Sequence, residues 1–116
     1  MDLGHFLDRY TDDVYHSADP EAARRYIADP CYRHEHGDLV VLPLDENIER
    51  IRSFIDSAPG ARFTNRLVVA GDGGLVTSCF EVAIGDQVLS GIEVFRVVDG
   101  RITETWNATI QPGAWG

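Results

Sequence analysis

The chain has 116 residues, is 44% hydrophobic and 25% charged, and carries a formal net charge of −9. That length suits one domain, residues 1–116, built around a thin core. The acidic balance repels phosphate backbones and anionic lipid, so neither nucleic acid nor membrane is expected as a partner. Cys31 and Cys79 lack CxxC spacing, which indicates neither a zinc site nor a disulfide framework. The first residues show no secretory pattern and no apolar run reaches transmembrane length, so a cytoplasmic location is expected.

Leu3, Phe6, Leu7, Tyr10 and Val14 recur on one face of a first helix. Asp19-Pro20-Glu21 starts a short second helix, Pro20 to about Ala28, which Pro30 stops. Cys31 to Gly37 alternates and fits a short strand. Tyr32, His34 and His36 share one face of it, and Arg33 and Glu35 the other. Residues 38–44 read as an apolar loop. Asp45 caps a third helix that turns Ile48, Ile51 and Ile55 inward and ends at Pro59-Gly60. From Arg62 onward four strands are predicted, separated by Gly71 to Gly74, Gly85-Asp86 and Asp99-Gly100. The last pair is a strong two-residue hairpin signal. Helices followed by an antiparallel meander give an α+β order.

Tight turns fix the pairing by counting. Gly85-Asp86 sets Ser78 against Glu93 and Phe80 against Gly91. Asp99-Gly100 sets Phe95 against Glu104 and Glu93 against Trp106. Asp72-Gly73 sets Leu67 against Ser78 and Asn65 against Phe80. One face then collects Phe63, Leu67, Val69, Val76, Phe80, Val82, Phe95, Val97, Ile102 and Trp106. The other carries Thr64, Arg66, Thr77, Glu81, Arg96, Thr103, Thr105 and Asn107. Four polar residues interrupt the apolar face: Asn65, Ser78, Glu93 and Glu104. A buried carboxylate without a partner is costly, so Glu93, in mid-strand, is expected to line a cavity. Glu104, near a strand start, is expected to reach solvent. Asn65 and Ser78 either satisfy each other or line the cavity. Gly91 is expected to open space there, and Trp106 to form a wall.

The segment Ser90-Gly-Ile-Glu-Val-Phe-Arg-Val-Val-Asp-Gly-Arg-Ile-Thr-Glu-Thr-Trp106 resembles the SnoaL-like polyketide cyclases and, more distantly, ketosteroid isomerase. Arg9-Tyr10 and the run from Tyr32 to Gly37 fit the same resemblance. It implies the cone-shaped, nuclear-transport-factor-2-like (NTF2-like) fold with an internal pocket, and a homodimer through the polar sheet face. It also implies that Glu93 and Tyr10 stand where the isomerase has its oxyanion-hole acid and tyrosine. The general base falls at His34 or Glu35, and strand parity selects His34. Asn107 departs from the cyclases, which often carry an acid directly after the tryptophan.

An imidazole base, two donors and an apolar wall suit proton abstraction beside a carbonyl. The expected catalytic set is therefore His34, Glu93 and Tyr10. Tyr32, His36, Asn65, Ser78, Phe80, Phe95 and Trp106 are expected to bind a small hydrophobic molecule. No cofactor is expected. His34-x-His36 lacks a third nearby histidine, so no metal is expected, and His5 and His16 belong to the surface of the first helix. Three functions stand: a cofactor-free isomerase, cyclase or lyase, a hydrolase of the epoxide-hydrolase kind, and a binding or dimerisation module without turnover.

Overall fold

In the computed structural model, which describes residues 1–35, 37–107 and 110–116, Asp2 caps the first helix by accepting from His5 N at 3.0 Å. Helix α1 (Leu3–Tyr10) runs directly into one π-helical turn, Thr11–His16. The second predicted helix is shorter than expected, a 3₁₀ helix at Pro20–Arg25, after which β1 (Ile27–Glu35) begins. The expected apolar loop is instead a strand, β2 (Asp38–Leu42), paired antiparallel with β1. Its alternation hid behind a run of apolar residues of which Leu39 and Val41 are exposed. Helix α2 (Leu44–Ser57) follows Pro43, whose side chain cannot cap it, and Asp29 Oδ1 accepts from Leu44 N at 2.9 Å instead. Asp45 lies inside its first turn, where its charge suits the positive end of the helix. The meander is β3 (Arg62–Ala70), β4 (Leu75–Ile84), β5 (Gln87–Val98) and β6 (Arg101–Asn107), with a two-residue β7 (Gln111–Pro112) on β5.

The sheet order is β2-β1-β6-β5-β4-β3, with β1 parallel to β6 and the other neighbours antiparallel. Phe6, Leu7 and Val14 from the N-terminal helices, and Ile48 and Ile51 from α2, pack against Val76, Phe95, Val97 and Ile102 of the sheet. This is the expected α+β cone, with helices on one face of a curved, mixed sheet. Among the described residues no helix is long and apolar enough to cross a membrane.

Two bulges correct the counted register. Asp99 and Gly100 both take positive φ, 51° and 76°, and close the tight β5–β6 hairpin at Val98↔Arg101. A shift between Arg96 and Val97 then pairs Phe95 with Thr105 and Glu93 with Asn107. Thr105 and Asn107 therefore turn inward, while Glu104 and Trp106 turn outward, opposite to expectation. The β3–β4 turn is longer than a two-residue hairpin, and Ala70 pairs with Val76. A bulge between Asn65 and Leu67 restores Asn65↔Phe80 but pairs Leu67 with Cys79. Leu67 and Val69 are consequently exposed, not buried. The β4–β5 register is as counted, Ser78↔Glu93 and Phe80↔Gly91. The space beside Gly91 holds the Phe80 ring, which a Cβ would meet at 2.8 Å. Gly74, at φ 76°, lies so close under β5 that a Cβ would collide with the Val97 carbonyl.

Candidate functional site

The helices do not close completely over the sheet. An interior cavity of about 110 Å³ remains between them, and it meets a wider vestibule of about 560 Å³. Both volumes share Tyr10, Tyr15, Arg33, Asn47, Phe63, Phe80 and Glu93. Of the residues expected to form a site, the cavity brings together Glu93, Tyr10, Asn65, Ser78, Phe80 and Phe95.

Glu93 projects from mid-β5 with its side chain 20% exposed. Burial pushes its carboxyl up to about 7, against the pull of the Arg33 guanidinium and with a smaller push from Glu35. Arg33 Nη2 lies 3.7 Å from Glu93 Oε2. With the Asn107 amide oriented to satisfy both neighbours, its nitrogen donates to Glu93 Oε2 and its oxygen accepts from Arg33 Nη2 at 2.8 Å. Arg33 Nε also donates to Glu35 Oε2 at 3.1 Å, and Arg50 Nη1 reaches Glu35 Oε1 at 3.1 Å. Burial raises the Glu35 carboxyl, but these two arginines outweigh it and hold Glu35 below the ordinary range. Burial likewise works against the charge on Arg33, and Glu93 and Glu35 more than offset it.

Two phenols complete this wall. The π-helical turn sets Tyr15 beside Tyr10, five residues earlier, with ring centroids 5.8 Å apart and nearly perpendicular. Burial, then the adjacent Tyr15 and Glu93, pushes the Tyr10 hydroxyl well above 10, and burial raises Tyr15 too. Both phenols stay protonated at neutral pH and remain donors. Burial also pushes the Cys31 thiol, at the cavity edge, up to about 11. Two buried polar atoms on this cavity have no partner among the described residues, Asn47 Nδ2 and Thr105 Oγ1. A buried donor left unpaired costs on the order of 1–3 kcal/mol, which a polar ligand atom would offset.

His34, Tyr32 and Trp106 lie elsewhere, and the parity assigned to β1 is corrected. Its inward residues are Cys31 and Arg33, because Arg33 pairs with inward Thr105 across the parallel β1–β6 ladder. His34, 37% exposed on the outer face, stacks on Trp106 with ring centroids 4.9 Å apart and an interplanar angle of 1°. Its Nε2 lies 2.7 Å from Glu104 Oε2, and Arg96 Nε donates to Glu104 Oε1 at 3.2 Å. These contacts, that of His34 first, hold the Glu104 carboxyl below its ordinary value. Tyr32 is exposed on the same outer face. His36 lies outside the described residues. His5 is exposed as expected, whereas the His16 side chain is only 10% exposed and its Nε2 accepts from Phe63 N at 2.9 Å. Among the described residues no group of three or more His, Cys, Asp or Glu is placed to hold a metal ion.

No family model and no curated protein matches the chain. Its shape does match solved structures. An NTF2-like protein of unknown function from Mesorhizobium loti superposes with a TM-score of 0.67 at 24% identity, over 96% of this chain and 90% of that one. The fold is NTF2-like. A candidate polyketide cyclase from Acidithiobacillus ferrooxidans matches this NTF2-like cone with a TM-score of 0.74 at 19% identity, covering 90% and 84%. A candidate ketosteroid isomerase from Kribbella flavida gives 0.68 at 19% identity, covering 97% and 78%.

The raised Glu93 carboxyl has a direct thermodynamic consequence. A folded-state value near 7 against an ordinary 4.5 means that the native state holds a proton the unfolded chain has lost. Stability attributable to Glu93 therefore falls as pH rises from about 4.5 and levels off above about 7, by roughly 3 kcal/mol in total. Glu35 and Glu104, held low, act the other way: their contribution is present above the ordinary carboxylate range and lost as pH falls below it. We expect urea unfolding of Glu93→Gln and the native chain to differ increasingly in the variant's favour between pH 5 and pH 8. A difference that stays constant over that range would place Glu93 at an ordinary value.

Proposed function

We propose that this chain is a cofactor-free enzyme that moves a proton on a small hydrophobic carbonyl compound, with Glu93 as the acid/base group. The observation that carries this reading is convergence. One carboxyl balanced between its two forms near neutral pH, two neutral phenols, and unpartnered Asn47 Nδ2 and Thr105 Oγ1 all face one apolar cavity. Ionised Glu93 takes a proton from the carbon beside the carbonyl, and the electron pair moves onto the carbonyl oxygen. Tyr10, Tyr15 or Asn47 donates to that oxyanion. Glu93 then returns the proton to another carbon, which is isomerisation. Alternatively the enolate carbon attacks a second carbonyl of the same molecule, whose oxygen takes the proton back from Glu93, which is cyclisation. His34, stacked on the outer face, takes no part. Similarity to candidate polyketide cyclases and to a candidate ketosteroid isomerase supports the same reaction class, and secondary metabolism as its setting.

The homodimer belongs to this reading as well. Its interface would be the outer sheet face, where Leu67, Val69 and Ile92 are exposed. Thr105 and Asn107 would not take part, since they face inward. Light scattering at micromolar concentration should give twice the 12.9 kDa chain mass. The chain mass alone would remove the dimer.

Cyclohexanone in D₂O, followed by NMR, tests the chemistry without knowledge of the natural substrate. The protein should accelerate exchange of the α-protons, with a rate that rises through pH 7 as Glu93 ionises. Glu93→Gln should lower that rate by about 10²–10⁴, while His34→Ala leaves it within about twofold. Loss of exchange in His34→Ala at full stability would return the base to His34. Binding without any exchange would make the chain a ligand-binding module.

A further inference from the structure

The polar wall formed by Asn65 and Ser78 has a direction. Asp8, near the end of α1 and exposed, accepts from Asn65 Nδ2 at 2.9 Å. A carboxylate offers only lone pairs, so the amide nitrogen of Asn65 must face Asp8 and its oxygen must face away. That oxygen accepts from Ser78 Oγ at 2.7 Å. Ser78 has a single hydroxyl proton, and this bond commits it. Ser78 is 1% exposed, lines the cavity and sits directly across the ladder from Glu93. Towards the cavity it has only acceptor capacity left. A ligand ether or carbonyl oxygen at that point would face lone pairs, whereas a ligand hydroxyl would be satisfied. Asn47 Nδ2, also on the cavity, is a donor without a partner among the described residues and has the complementary demand.

We propose that the ligand of this cavity is a compact ring compound carrying a hydroxyl that donates to Ser78 Oγ, and that Asp8, acting through Asn65, is the positioning residue that sets this preference. The inference rests on the reading of the cavity as a ligand site, and adds to it which polar group the ligand presents beside Glu93. A carbonyl elsewhere on the same ligand would meet Asn47. Asp8 itself touches no ligand. It matters because it removes the freedom of a side-chain amide to exchange its nitrogen and oxygen, and thereby of Ser78 to choose between donating and accepting.

Phenol and its methyl ether, anisole, are single-ring probes that differ at the atom in question. Anisole is the more apolar, so hydrophobic burial alone favours it. In amide NMR titrations at pH 7, the native chain should bind phenol about fivefold more tightly than anisole or better, the scale of one net hydrogen bond. The largest shifts should fall on β4 and β5 around Ser78 and Glu93. In Asp8→Asn the new amide can donate to Asn65, which releases the relay to invert. The preference should fall to about twofold or reverse, at an unchanged melting temperature. Ser78→Ala should lose the preference as well. A steric penalty on the methyl group would survive Asp8→Asn, so an unchanged preference in that variant overturns the proposal, as does equal binding by the native chain. Failure of both probes to shift cavity residues would overturn it together with the ligand-site reading on which it rests.

Discussion

The strand pair β5–β6 has to bury an apolar face while carrying a charged residue on it, and the bulge beside Arg96 and Val97 is how the chain manages both. Without the shift, Glu104 and Trp106 would stand next to Glu93 on the inner face, bringing two carboxylates together in low dielectric. With it, Thr105 and Asn107 take those places. The Asn107 amide then bridges Glu93 and Arg33. The displaced residues form a separate outer cluster in which Trp106 stacks on His34, and Glu104 meets both His34 and Arg96. One extra residue thus sorts the ionisable groups into an inner set with a carboxyl near neutrality and an outer set with a carboxyl held low.

The inner set works as a unit because its charges are balanced at the cavity mouth. Arg33 is shared between Glu93 and Glu35, and Arg50 supports Glu35 from α2. Glu35 carries the permanent negative charge, and that leaves Glu93 free to be neutral. Burial is the larger influence on Glu93 and Arg33 only moderates it. A carboxyl more tightly paired with Arg33 would stay ionised and would be a poor proton carrier near pH 7.

Much of this was legible in the sequence, and the rest failed for local reasons. The hairpin Asp99-Gly100 and the β4–β5 register follow from turn chemistry and period-two alternation, and they put Ser78, Phe80, Gly91 and Glu93 on the correct face. The bulges carry no comparable signal, since the residues that absorb them are ordinary strand formers. Parity counted past a bulge is inverted, which is why counting alone places Trp106 and Leu67 on the wrong side. Alternation groups Tyr32 with His34 on one face of β1 and Arg33 with Glu35 on the other without saying which turns inward, and the parallel pairing with β6 turns Arg33 inward and His34 outward. Tyr15 is off the α-helical period of Leu3, Phe6, Leu7, Tyr10 and Val14, and only a π-helical turn aligns it with Tyr10. Asn47 was readable in principle: it sits between Leu44 and Ile51 at i+3 and i+4, a polar residue on an apolar stripe.

The inner cluster keeps Glu93 balanced between its charged and neutral forms near neutral pH. Site-resolved ¹³C NMR of the glutamate side-chain carboxyls, with Glu93→Gln to assign the resonance, measures this directly. The Glu93 carboxyl should titrate with a midpoint near 7, and amides of cavity-lining residues should shift with the same midpoint. A midpoint near the ordinary 4.5 would contradict it.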